Sequence, residues 1–173
     1  RLTPEGTPEL ASFPAPTRGL IRTYLDSITA SQHGYSTMGA VYFRLTHDVD
    51  PSSLPSSLEG SVASDASVFL VALDERVPAA DVRHPAVLRY EPRQTEYWPG
   101  HALAIRPADG FPLLPDTTYA AVLTDRLRAA GGAPFGRDGD FEALLAADPS
   151  VAALSAIYGP ALDRLEVLGV PRG

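Results

Sequence analysis

Two stretches of the chain alternate apolar and polar positions in the way one half-buried face of an antiparallel sheet requires. Leu103 and Ile105 alternate with Ala102, Ala104 and Arg106, and Tyr119, Ala121 and Leu123 alternate with Ala120, Val122 and Thr124. The Pro-, Gly- and Asp-rich segment from Pro107 to Asp116 connects them. Val41, Phe43 and Leu45 set a third strand, closed by the acidic turn Asp48-Val49-Asp50-Pro51. Ser67 to Leu73 is apolar on both faces and predicts a central strand covered on both sides. Pro85 to Tyr90 is a fifth, with a continuation toward Tyr97 interrupted at Pro92.

Helical spacing replaces strand spacing at the two ends. Leu20, Ile21, Tyr24, Leu25 and Ile28 predict an amphipathic helix within Thr17 to Gln32, with Thr17 as N-cap and Gly34 as the stop. It is expected to cover part of the sheet. Asp140 to Ala147 predicts a short helix, and Ser150 begins a second that carries Leu154, Tyr158, Leu162, Leu165 and Leu168. Gly159-Pro160 is expected to kink or break that helix, because proline removes a helix bond and clashes with the preceding turn.

Short strands at this spacing, without βαβ periodicity, predict a mainly β fold: an aligned antiparallel β-sandwich with an N-terminal amphipathic helix and C-terminal helices. Its expected core holds Val41, Phe43, Leu45, Val68, Leu70, Leu103, Ile105, Tyr119, Ala121 and Leu123. The expected organisation is an extended leader over residues 1–16, the sandwich with its covering helix over 17–136, and a helical extension over 137–173.

Composition narrows the function classes. With 14 arginines, no lysine and 21 acidic residues the formal charge is −7, which disfavours nucleic acid or an anionic membrane as partner. Cysteine is absent, which excludes disulfides, thiolate metal sites and a thiol nucleophile. No apolar run approaches the length of a membrane span, and membrane insertion is not expected. The 17 prolines and 14 glycines suit a turn-rich sheet protein better than a helical bundle.

Several motifs stand in a familiar order. Gly34-Tyr-Ser-Thr37, then Val41-Tyr-Phe43, then Asp50-Pro-Ser-Ser-Leu-Pro55 are followed by Ser67-Val-Phe-Leu-Val71 and the pair spanning Leu103 to Leu123. This order resembles the S-layer-type Ig-like domains of bacteria, as they occur N-terminal to secreted or surface α/β-hydrolases of actinobacteria and myxobacteria, similar to lipases and esterases. The resemblance implies an Ig-like sandwich in an extracellular, cell-surface or periplasmic protein. It also implies an accessory, non-catalytic role beside a following hydrolase domain. The alternative is a self-assembling structural or adhesive surface module, a homo-oligomer.

Candidate chemistry is sparse. A serine hydrolase needs a G-x-S-x-G elbow after a strand. The nearest approach, Gly34-Tyr35-Ser36-Thr37-Met38-Gly39, has its second glycine one residue late and precedes a strand, so Ser36 or Thr37 is expected to bond local backbone. The four histidines, His33, His47, His84 and His101, form no metal-type pair. No cofactor is expected. Asp48 and Asp50 in one turn, and Asp138 and Asp140 in another, are the weak calcium candidates. Tyr97-Trp98 is a candidate ligand platform or an edge-packing pair. Tyr119 is expected to be a core tyrosine whose hydroxyl reaches a backbone carbonyl, in the manner of a tyrosine corner. Leu162, Leu165 and Leu168, turned away by the Gly159-Pro160 break, are expected to contact a following domain or another protein chain.

Overall fold

The computed structural model describes residues 7–10, 19–95 and 99–172, and the chain divides into two compact units, Arg1–Gly39 and Ala40–Gly173. In the first unit, helix α1 spans Leu20–Ser31. Gly19, at φ 104°, precedes it and offers no side-chain cap. Thr17, the expected cap, lies outside the described residues. The Gln32 N–H closes the last turn on the Ile28 carbonyl, and Gly34 follows at φ 72°, a left-handed conformation that glycine adopts without a Cβ penalty.

The second unit holds six strands: β1 (Val41–Arg44), β2 (Val68–Ala72), β3 (Arg83–His84), β4 (Ala86–Glu91), β5 (Ala102–Pro107) and β6 (Tyr119–Leu123). They form two antiparallel sheets, one ordered β1-β5-β4 and the other β3-β2-β6. Between the strands and at the C-terminal end run helices α2 (Leu58–Val62), α3 (Gly139–Leu145) and α4 (Ala152–Val167). Helix accounts for 32% of the structure and strand for 21%, so the fold is mixed α and β rather than mainly β. The strands are only two to six residues long, and the connections and the C-terminal helices carry the remainder.

Both sheets contribute to one apolar cluster. Val68 and Leu70 of β2 meet Ala86 of β4 and Leu103 and Ile105 of β5, with Val49 and Leu127 closing the ends. Phe43, Leu45, Ala121 and Leu123 pack around it as expected from the alternation. Two expected core residues do not belong there. Val41 begins an edge strand and is 44% exposed. Tyr119, at the opposite end of its strand from Leu123, packs instead into a second cluster.

That second cluster exists because β2 is apolar on both faces. All five of its residues are buried. Phe69 and Val71 point away from the first cluster and meet Ala66, Val77, Val82 and Val122. Leu165, Leu168 and Val170 from the end of α4 cover them. The expected outward turn of this segment is therefore corrected, and the reason is local. Gly169, at φ 80°, closes α4: its N–H donates to the Glu166 carbonyl and the Val170 N–H to the Leu165 carbonyl. This is the Schellman arrangement, and its usual apolar contact, here Val170 with Leu165, folds the chain end back onto the sheet. Residues 137–173, expected as an extension, thus sit in the same compact unit as the sheets.

The expected break at Gly159-Pro160 is also corrected, since α4 runs unbroken through Pro160. Proline disfavours helical conformation in the residue before it through a clash with that residue's Cβ, and Gly159 has none. The turn between α3 and α4 is where the chain bends, by 107°. Asp148 caps the helical start in that turn, accepting from the Ser150 N–H, and Asp138 caps the start of α3, accepting from the Asp140 N–H. Among the described residues no single helix is long and apolar enough to cross a membrane.

One buried polar side chain ties α2 to the first sheet. Ser61 is fully buried; its hydroxyl donates to the Leu58 carbonyl at 2.7 Å and accepts the Ala86 N–H at 3.0 Å. Ser61→Ala leaves that amide at the start of β4 without its partner. The expected cost is about 1–3 kcal/mol, the penalty for an unsatisfied buried donor, measured by urea denaturation. A loss below about 0.5 kcal/mol would mean that the amide finds another acceptor.

Candidate functional site

Three polar side chains from separate segments converge at one end of the first sheet. Asp48 sits in the connection that leaves β1, Tyr90 near the end of β4, and His101 immediately before β5. Pairing brings them together: Tyr90 lies opposite Leu103, Arg44 opposite Ala102, and the Leu45 N–H donates to the His101 carbonyl at 2.9 Å. His101 adopts φ 57°, the left-handed region that non-glycine residues occupy at turns and at constrained sites. The Tyr90 hydroxyl donates to Asp48 Oδ1 at 2.9 Å. His101 Nδ1 stands 3.1 Å from both of those oxygens. Burial, then the neighbouring Asp48 carboxylate, pushes the Tyr90 phenol above its ordinary value, so it remains a donor at neutral pH.

A groove of about 430 Å³ opens beside this cluster. Thr46, His47 and Asp48 form one wall, and Ala129, Pro134 and Phe135 are on the other. Backbone bonds hold the walls together: Val49 bridges Ala129, and the Ala130 N–H donates to the Asp48 carbonyl at 2.8 Å. The arrangement brings a phenol, a carboxylate and an imidazole within hydrogen-bond distance of one another. It can orient polar groups, and it joins three segments of the chain.

The residues singled out by sequence fall as follows. The Ser36 hydroxyl accepts the Met38 N–H at 3.2 Å, the local turn bond expected of it. Asp50 caps a 3-10 turn, and hydrogen bonds from the Ser52 hydroxyl and then the Ser52 N–H hold its carboxyl below the usual range. Asp48 bonds Tyr90, and Asp138 caps α3, so the calcium candidates are dispersed among structural roles. Among the described residues no group of three or more His, Asp or Glu side chains is placed to hold a metal ion. His84 bonds the Phe111 carbonyl at 2.8 Å and meets the Tyr119 ring edge-on at 5.7 Å. His47 Nδ1 lies 2.8 Å from the Thr46 hydroxyl.

The Tyr119 hydroxyl accepts the Leu114 N–H at 3.2 Å, so it bonds backbone upstream of itself, but an amide rather than the expected carbonyl. Tyr97 and Trp98 lie outside the described residues. Leu165 and Leu168 pack against the second cluster and Leu162 is half-buried, while Ile157, Tyr158 and Val167 are exposed on α4. Comparison with family models, curated proteins and solved structures finds no match.

Proposed function

We propose that this chain is a non-catalytic, S-layer-type Ig-like domain of a secreted or cell-surface α/β-hydrolase-like protein, in which it holds or orients a catalytic part or a partner. The observation that carries this reading is the pair of antiparallel sheets around one shared cluster, built from the strands whose motifs resemble that family. The polar residues that chemistry would need support it further: Ser36, Asp50 and Asp138 bond local backbone, and Asp48 ties β4 to the connection after β1.

The test is the size and place of the native protein. An antibody raised against residues 40–172 is expected to detect, in the secreted or surface fraction, a species far larger than 18.4 kDa. A species of 18.4 kDa confined to the cytoplasm would overturn the proposal.

A further inference from the structure

The sequence contains two Asp-Gly pairs, Asp109-Gly110 and Asp138-Gly139, and no asparagine. Such a pair can close on itself. The glycine amide nitrogen attacks the aspartate Cγ, a bond forms between them, and one carboxyl oxygen leaves as water. Water then reopens the succinimide ring, and opening at the main-chain carbonyl leaves isoaspartate, with the chain routed through Cγ. Glycine favours the attack because it has no Cβ to crowd the nitrogen. The peptide between the two residues must rotate, and the carboxyl must give up an oxygen. On both counts the fold treats the two pairs differently.

At Asp138-Gly139 the peptide is fixed. The Asp138 carbonyl accepts the Glu142 N–H at 2.9 Å as a bond of α3, and its carboxylate accepts the Asp140 N–H at 3.0 Å. Asp109-Gly110 is instead the middle of an exposed turn. The Phe111 N–H donates to the Ala108 carbonyl at 2.9 Å, and Gly110 alone of the two central residues is left-handed, at φ 86°, which makes the turn type II. Among the described residues neither the Asp109 carbonyl nor the Gly110 N–H has a hydrogen-bond partner. This peptide can therefore rotate while the bond that closes the turn stays made. Open space surrounds Gly110 where a side chain would stand.

The remaining restraint is Arg106. Its guanidinium takes both oxygens of the Asp109 carboxylate, at 2.8 and 3.1 Å. Those hydrogen bonds, and then the charge of Arg106, hold the Asp109 carboxyl below its usual range and so keep it ionised, the form from which water does not leave.

We propose that Asp109-Gly110 is a site of aspartate isomerisation in this chain, that Arg106 is the positioning residue which slows it, and that α3 spares Asp138-Gly139. The reaction inserts one backbone carbon between buried Ala108 and Phe111, whose carbonyl holds His84. The proposal is independent of the role proposed for the domain.

The experiment ages the purified chain for weeks at mildly acidic pH, native and in guanidinium chloride, and measures isoaspartate at each position by electron-transfer fragmentation of its peptides. In denaturant the two pairs should isomerise at similar rates. In the folded chain position 109 should outrun 138 by about fivefold or more, because the helix must open before 138 reacts. Arg106→Gln should speed 109 about two- to fivefold, the span an exposed ion pair commands, and leave 138 unchanged. Arg106→Lys keeps the charge without the two-point grip and should fall between. The gain of the glutamine variant should shrink as pH falls below the carboxylate range, where native Asp109 is protonated as well; a merely structural role for Arg106 predicts no such trend. Should either variant disturb folding, the native chain alone carries the comparison of the two positions. A preference for 109 no greater in the folded chain than in denaturant would overturn the proposal. So would a rate at 109 that Arg106→Gln leaves unchanged, or raises equally at every pH.

Discussion

Phe69→Ala is expected to lower the stability of the unit by about 3–5 kcal/mol, the range for deleting a buried aromatic ring. Phe69 is 1% exposed and lies at the centre of the cluster between β2 and the end of α4. The Arg83 guanidinium stacks 3.7 Å from its ring centroid, anchored through a bond to the Ala63 carbonyl at 2.8 Å. Burial depresses the Arg83 pKa, yet at neutral pH the group stays charged, so removing the ring strips a partner from a partly desolvated cation. Urea denaturation followed by circular dichroism measures the loss. A change below about 1 kcal/mol would show that the sheet is not covered on this face.

The double change Leu165→Glu and Leu168→Glu is expected to unfold the unit or cost more than about 3 kcal/mol, since it places two carboxylates against Phe69 and Val71. Sequence spacing alone suggests the opposite, that these leucines serve a partner and leave the sheets indifferent to their loss. The contrast is sharpened by Val167, one residue before Leu168 and 75% exposed. Val167→Glu should change stability by less than about 0.5 kcal/mol. If the double variant melts as the native chain does, the Val170–Leu165 closure is not formed in solution.

How far the fold was legible follows from where each signal lies. β2, β5 and β6 were readable because each is a short apolar run bounded by turn residues, and burial in a sheet needs nothing more local than that. The strand content was overestimated because propensity marks where strands form, and says little about how long the ladders extend before a connection begins. The packing of α4 is not legible in its sequence for a specific reason. Its leucine stripe does not say which surface it meets, and a glycine at position 169 marks an end without saying that the chain folds back there. Nothing in the sequence joins Asp48, Tyr90 and His101, which lie 42 and 11 positions apart in pairs that only strand register unites.

The double-sided burial of β2 has a kinetic consequence. In most strands a one-residue slip throws polar side chains into the core and is rejected at once. Here a slip would exchange Val68 and Leu70 for Phe69 and Val71, apolar for apolar, and the misaligned sheet would still be greasy on both faces. Rejection must come from the strand ends, where the Thr124 N–H and hydroxyl both donate to the Ser67 carbonyl and the Leu73 N–H donates to Thr118. The chain's search for its alignment is therefore refereed by two threonines and a serine at the margins rather than by the oily residues between them.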